Sequence, residues 1–365
     1  MQIYYLPVNL LLFKFARMYD FIIIGGGLAG STLALRLIKE GAQVMFADNF
    51  SANISSHVAA GIFNPITGKR TALTWKAKEL FLELHQYYTR LETELNQQFY
   101  YPLPFNKLFE SIYEQNEWLS KNNNDEMNAF IGAQIEHLNP NLVHNPFGSL
   151  LLNHAGRIDT KSYLNAVHLW MKAKNISLNG NINFNQITID KEFVLVGNHK
   201  CRHLVFCDGA NALNNPYFNY LPHKPVHGEL IEIEMDDFYT DRIINKGIYI
   251  IPTYNNRYLV GATYNWDINT PIITNEGKSE LELKLQMLIK KTYKVINHQA
   301  GLRPSTKDRR PFIGLHPIYK NLAYFGGFGS KGVSLIPYFS KLFVNHLLHE
   351  SPLPKEVDLS RVPYN

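Results

Sequence analysis

Residues 20–48 read DFIIIGGGLAGSTLALRLIKEGAQVMFAD, and they constrain the fold more than the rest of the chain together. A short apolar strand, Phe21 to Ile24, runs into Gly25-Gly26-Gly27-Leu28-Ala29-Gly30. A helical pattern follows, then Gly41, then a second apolar strand, Val44 to Ala47, that ends on Asp48. This strand–turn–helix–strand setting is what gives a G-x-G-x-x-G match its meaning. Gly25 permits the tight turn out of the strand, Gly27 lets a pyrophosphate approach the backbone, and Gly30 lets the helix pack close to the strand. The amides at the start of the helix, at Leu28 and Ala29, and its positive end then face the phosphates. Asp48 lies 18 residues beyond Gly30, where a carboxylate accepts hydrogen bonds from ribose hydroxyls; Asn49 beside it is assigned to the same site. An acid there disfavours a 2′-phosphate, and so NADP.

The 365 residues are 45% hydrophobic, enough for two domains or one large one with a sizeable core. The formal charge of +5 is mild, and the basic spots (Lys69-Arg70, Lys307 to Arg310) form no long run, so nucleic acid is a minor option as partner. The two cysteines, Cys201 and Cys207, match no zinc spacing and give no disulfide framework. A reducing, cytoplasmic setting is expected. No Cys/His/Asp cluster suggests a metal. Residues 1–17, MQIYYLPVNLLLFKFAR, fit neither a signal peptide nor a membrane helix. They are expected to be a tail or a start-site artefact ahead of Met18.

Along the chain, apolar spacing predicts a long amphipathic helix within Thr71 to Phe99 and a shorter one over Glu114 to Asn123. Gly148 to Leu152 reads as a strand. Asp159 is expected to cap a helix over Thr160 to Lys174. Short strands are predicted at Ile182 to Phe184, Gln186 to Ile189 and Phe193 to Val196, then a buried one at His203 to Cys207 that closes on Asp208-Gly209. A further strand is predicted over His227 to Asp236, with a hairpin at Ile248 to Ile251 and Arg257 to Thr263. Helices follow at Glu276 to Tyr293 and Ser330 to Leu348.

Gly327-Phe328-Gly329-Ser330-Lys331-Gly332 is a second formal G-x-G-x-x-G. No strand ending in an acid follows it, which argues against a second dinucleotide site. Two readings remain. One is an ordinary glycine-rich helix start. The other is a helix N-terminus whose amides meet an electron-rich edge, as a flavin ring presents on reduction.

Four blocks carry a resemblance to a known family: residues 19–48; SSHVAAGIFNP, residues 55–65; KGIYIIPTYNNRYLVGAT, residues 246–263; and GLRPSTKDRRPFIG followed by GGFGSKGVSLIP, within residues 301–337. The first is common to many flavoproteins; the last is far more specific. On these blocks the chain resembles FAD-dependent oxidoreductases of the D-amino-acid oxidase superfamily, especially the glycine oxidase and sarcosine oxidase branch. The resemblance implies a Rossmann-like α/β domain binding FAD, assembled from 19–72, 150–222 and 300–350. A substrate domain with an antiparallel sheet is then expected from 73–149 and 223–299. It also implies FAD contacts from Gly25, Gly27, Leu28, Ala29, Gly30, Asp48, Asn49, Gly61, Asp208, Gly209, Gly327, Gly329, Ser330, Lys331, Gly332 and Val333.

The implied chemistry is hydride transfer from a small amine or amino acid to the flavin, with oxygen or a quinone as final acceptor. Such a reaction needs a dry pocket and, for an amino acid, a cationic clamp. Arg303 is the clamp candidate, since its planar fork can grip a carboxylate with two parallel bonds; the alternative is an ion pair with Asp308. Tyr249 is a candidate for touching carboxylate or amine, or else a core aromatic. Lys331 is a candidate for supporting charge on the reduced ring, or else a solvated lysine. His57 stands one residue too far from the Ala-Gly pair to match the histidine that carries flavin in some relatives. No cysteine lies in 303–337. FAD is therefore expected to be non-covalent. The last block also resembles the oxidase half of the bacterial enzyme that trims carboxymethylaminomethyl-uridine in tRNA. That gives a second substrate reading, and a non-catalytic flavin carrier is the third.

Overall fold

A computed structural model describes residues 18–48, 55–67, 72–121, 125–180 and 182–364. Asn49, Lys69-Arg70 and the 1–17 segment lie outside these.

The apolar runs flanking the first glycine loop become β1 (Met18–Ile24) and β2 (Val44–Asp48), joined by α1 (Leu28–Lys39). They pair in parallel, Phe21 opposite Val44 and Ile24 opposite Ala47. Around this unit the parallel strands run in the order Ser177–Asn179, β2, β1, His199–Phe206, Leu322–Gly326. Continuous apolar sequence in β2, every residue of which is buried, is what a parallel sheet covered on both faces requires. Antiparallel pieces extend it: Val194–Val196 pairs with the start of His199–Phe206, and Phe312–Leu315 with Leu322–Gly326.

The long helix begins at Ala77, later than its apolar spacing suggested, because Lys76 adopts a left-handed conformation that blocks an earlier start. Its buried stripe, with Leu80, Leu84, Tyr88 and Leu91, packs against the last helix, Gly332–His349. Pro337 lies inside that last helix. A proline has no N–H, so the carbonyl of Val333 one turn earlier loses its helical donor. The Tyr88 hydroxyl donates to that carbonyl at 3.2 Å. Arg36 and Lys341 both pair with Glu83, at 2.6 and 3.0 Å, and Arg36 also donates to the Pro337 carbonyl at 3.0 Å. Three helices are thereby tied together above the sheet.

Asp159 caps its helix as expected, its side chain accepting from the Ser162 amide, and the helix runs Thr160–Ala173. Residues 182–184 are not a strand. Asn183 caps a short 3-10 turn, Phe184–Gln186, because its side chain accepts from the Asn185 amide.

A second sheet of eight described strands is mostly antiparallel. Its order is Lys294–Arg303, Val226–Glu234, Arg257–Gly261, Ile248–Pro252, Ile243–Lys246, Phe105–Leu108, Ser149–Leu152, Ile131–Glu136. Helix Asn275–Leu288 covers one face with Leu281, Leu285 and Leu288. The short helix Ser55–Val58 bridges the two sheets. The Ser56 hydroxyl accepts from the Leu28 amide at 3.2 Å, while the Ser55 hydroxyl donates to the carbonyl of Leu302.

Candidate active site

Gly25 leaves β1 at φ 106°, and a methyl group there would press on the carbonyl of Cys207. A methyl group on Gly30 would strike the Gly25 carbonyl itself. The loop is thus a tight crossing of main chain over main chain, which only glycine fits. Gly26 lies against the Asp48 carboxylate with no room for a side chain. Gly27, at the N-cap of α1, contributes no side-chain hydrogen bond to the helix start. His168, from the helix after Asp159, reaches the Gly26 carbonyl at 2.9 Å and lies 3.3 Å from the Ser31 hydroxyl. Burial pushes the His168 imidazole below its usual pKa, although the Gly26 carbonyl and Asp48 favour its charged form.

Asp208 stands where the His199–Phe206 strand ends beside the loop. Its Oδ2 accepts from Asn215 at 2.8 Å, whereas Oδ1 is covered and has no partner among the described residues. Burial raises its pKa to about 6, against the lowering effect of the Asn215 bond. Gly209 follows at φ 59° and opens a 3-10 turn. Gly61 has a packing role: a side chain there would collide with the Ile158 carbonyl, and its own carbonyl accepts from the Ile158 amide at 2.9 Å.

The second glycine loop meets the first. A Cβ on Gly332 would sit 3.9 Å from the Leu28 side chain. Gly327 turns at φ 80° against Thr306. The amides of Gly329 and Lys331 donate to the carbonyls of Pro304 and Phe328, at 2.9 and 3.2 Å, so neither is spare for a ligand. Ser330 is exposed. Lys331 is half-buried; its Nζ lies 3.5 Å from the Thr74 hydroxyl, and burial, then Arg310 and Arg309, lower its pKa.

Arg303 ends the edge strand of the second sheet, one residue beyond the Leu302 carbonyl that Ser55 holds. Its guanidinium lies across Gly228, where any Cβ would overlap it. Nη1 donates to the His227 carbonyl and Nη2 to the Thr263 carbonyl, both at 3.1 Å. It lies 5.4 Å from the Tyr264 ring centre. Tyr249 is close enough for the two charges to influence each other: burial raises the tyrosine's pKa, and Arg303 opposes that rise. Among the described residues no carboxylate lies within ion-pair distance of Arg303. Asp308 pairs with Arg361 instead and accepts from the Arg310 amide at 3.0 Å. Tyr249 also packs edge-on against Phe105.

The structure therefore brings Gly25 to Gly30, Asp48, Asp208, Gly332 and Val333 to one end of the parallel sheet, and Arg303 with Tyr249 beyond the Ser55–Val58 helix. Sequence reading missed Ser55 and Ser56 as the bridge, although they lie in a block it singled out. It missed His168, which sits in a helix with no motif. It also missed Gly228, for which a lone glycine inside a strand was the available signal of close approach.

The family model described as FAD dependent oxidoreductase matches residues 20–346. The chain belongs to that family. FAD is its cofactor, and the enzyme is an oxidoreductase. The glycine oxidase of Bacillus subtilis is 22% identical over 364 residues, covering 92% of this chain and 94% of that one. The family member of Legionella pneumophila described as the tRNA 5-methylaminomethyl-2-thiouridine biosynthesis bifunctional protein MnmC is 24% identical, over 92% of this chain but 55% of its own length. Among solved structures, glycine oxidase from Geobacillus kaustophilus superposes with a TM-score of 0.78 at 19% identity, over 92% of this chain and 96% of that one. The residues present fit FAD. The orphaned Asp208 Oδ1 needs a donor such as a hydroxyl, and the glycine crossing leaves a cradle that side chains would fill. No helix among the described residues is long and apolar enough to cross a membrane, and no three or more of their His, Cys, Asp and Glu side chains cluster so as to hold a metal ion.

Proposed function

We propose that this protein oxidises a small amine bearing a carboxylate, of the glycine, sarcosine or D-amino-acid type. One observation carries the reading: the half-buried Arg303 guanidinium is aimed by two main-chain carbonyls and has no carboxylate partner among the described residues. A buried cation without a counter-ion is costly, and a substrate carboxylate supplies one. Non-covalent FAD, when bound, provides the acceptor for a hydride from the carbon beside the amine.

The chain's own residues do the rest. Arg303 orients the substrate through its carboxylate, and the Tyr249 hydroxyl, kept neutral by burial, offers a hydrogen bond beside it. Tyr249 and the buried Phe105 wall this place against water, and Tyr264 lies at its edge. The glycine crossing, Asp48 and Asp208 hold the nucleotide and the polyol chain, and Gly209, Gly61 and Gly327 to Val333 shape the ring's surroundings. Lys331, with its lowered pKa, stands as a cation for the reduced ring. On this reading residues 19–72, 150–222 and 300–350 form the FAD part, and 73–149 with 223–299 the substrate part. Keeping strands Ser149–Leu152 and Lys294–Arg303 whole moves two boundaries to 153 and 304.

The test is anaerobic mixing of the yellow protein with glycine, sarcosine and a panel of D-amino acids. Bleaching by at least one of them, slowed when Arg303 is replaced by alanine, supports the proposal. A flavin that none of them bleaches removes the amino-acid assignment and leaves FAD binding intact.

A further inference from the structure

A cavity of about 410 Å³ opens on the flank of the second sheet, and none of the groups that touch Arg303 lines it. Its walls include Tyr101, Arg157, Asp159, Tyr239, Tyr254 and Tyr258. Arg157 is only 7% exposed. Its Nη2 donates to Asp159 Oδ2 at 3.0 Å, and its guanidinium lies 5.4 Å from the Tyr101 ring centre. Nε and Nη1 are covered and have no acceptor among the described residues. Asp159 cannot serve them fully, because its Oδ1 is committed to the Ser162 amide at the helix start, at 3.1 Å. Buried guanidinium donors left unmade are costly, and a carboxylate or phosphate matches their geometry.

The mouth is aromatic. Tyr239 is 79% exposed and Tyr254 62%, so two large rings stand largely in solvent. Tyr254 is held by a turn. Asn255 and Asn256 both take left-handed φ values, 50° and 58°, and make a two-residue hairpin turn. That turn is closed by Arg257 N–H to the Tyr254 carbonyl and anchored by Met235 N–H to the Asn256 carbonyl, each at 3.0 Å. Arg257 stands over the Tyr254 ring at 5.6 Å. The acid at the rim, Asp241, is engaged by Arg242 at 3.0 Å. The site thus offers exposed aromatic rings outside, one of them held by the hairpin, and an under-satisfied cation within.

We propose that this cavity binds a planar aromatic molecule carrying an anionic group, with the ring between tyrosines and the anion on Arg157. Aliphatic acids leave the ring faces bare, and inorganic phosphate gains nothing from them. The cavity reaches Pro252, three residues along the strand from Tyr249, or roughly 10 Å. The site is therefore distinct from the Arg303 clamp but built on the same strand.

The experiment is calorimetric titration of the FAD-loaded full chain with phenyl phosphate, and separately with inorganic phosphate and with phenol. Saturable one-to-one binding of phenyl phosphate is expected, at least tenfold tighter than either fragment. Tyr254→Ala removes a surface ring without threatening the fold and is expected to weaken binding about tenfold; Arg157→Met is expected to abolish it. Arg303→Ala is expected to leave it unchanged, as Tyr254→Ala leaves flavin bleaching by an amine unchanged. Absence of saturation, indifference to Tyr254→Ala, or loss of binding in Arg303→Ala overturns the proposal.

Discussion

The two ends of this site are built by opposite means. The proposed FAD end is centred on one continuous run of sequence: β1, the glycine crossing, α1 and β2 all lie within residues 18–48, with Asp208 and Gly332 joining from elsewhere. Its proposed groups are the main chain of the glycine crossing and two carboxylates, Asp48 and Asp208, and in the crossing itself side chains matter by being absent. The Arg303 end is assembled from strands far apart in sequence. Arg303 crosses Gly228 and donates to carbonyls of residues 227 and 263. There a single side chain acts, and the main chain positions it. A site made of main chain is robust to substitution outside its glycines. One made of a placed side chain depends on a few contacts in separate strands.

The sharpest way to break that contrast is at Arg303. Arg303→Ala should cost about 2–5 kcal/mol in affinity for a substrate carboxylate, read as a KM increase of at least tenfold, with FAD content unaltered. Gly30→Ala should do the reverse. The added methyl strikes the Gly25 carbonyl, an overpacking cost of about 3 kcal/mol, and the purified protein should carry little FAD. Gly228→Ala tests whether main chain alone aims the arginine. The methyl overlaps the guanidinium, so KM should rise through a loss of about 1–2 kcal/mol, again with normal FAD content.

The smallest expected effect is on pH dependence. Burial lifts the Asp208 pKa to about 6, above its ordinary value of 3.8. The folded state therefore holds the proton more tightly than the unfolded chain. The stability this contributes is present below about pH 4 and is lost as pH rises through about 6. In FAD-free protein, wild type should lose melting temperature relative to Asp208→Asn between those values, with no further divergence above them.

The same contrast explains what could be read from the sequence. The parallel α/β unit and its nucleotide loop were legible because spacing within 29 residues states both the turn and the partner strand. The Asp159 cap was legible for the same local reason. Gly228 was not, since its meaning depends on an arginine 75 residues away. Nor was the pairing of Asp308 with Arg361, which takes away the ion pair that Asp308 offered Arg303 on sequence grounds. His168 left no trace because a histidine in an amphipathic helix looks like any other half-buried polar residue. The strand expected at 182–184 failed because the Asn183 side chain offers the backbone a local turn, which outweighs the apolar alternation.

The central claim is that a substrate carboxylate fills the place beside Arg303 that no acid of the described chain fills. The direct measurement is a spectral titration of the FAD-loaded protein with acetate, a carboxylate that has no amine to oxidise. The account predicts a saturable perturbation of the flavin spectrum in wild type, with Kd raised at least tenfold in Arg303→Ala. Equal affinity in the two proteins would contradict it.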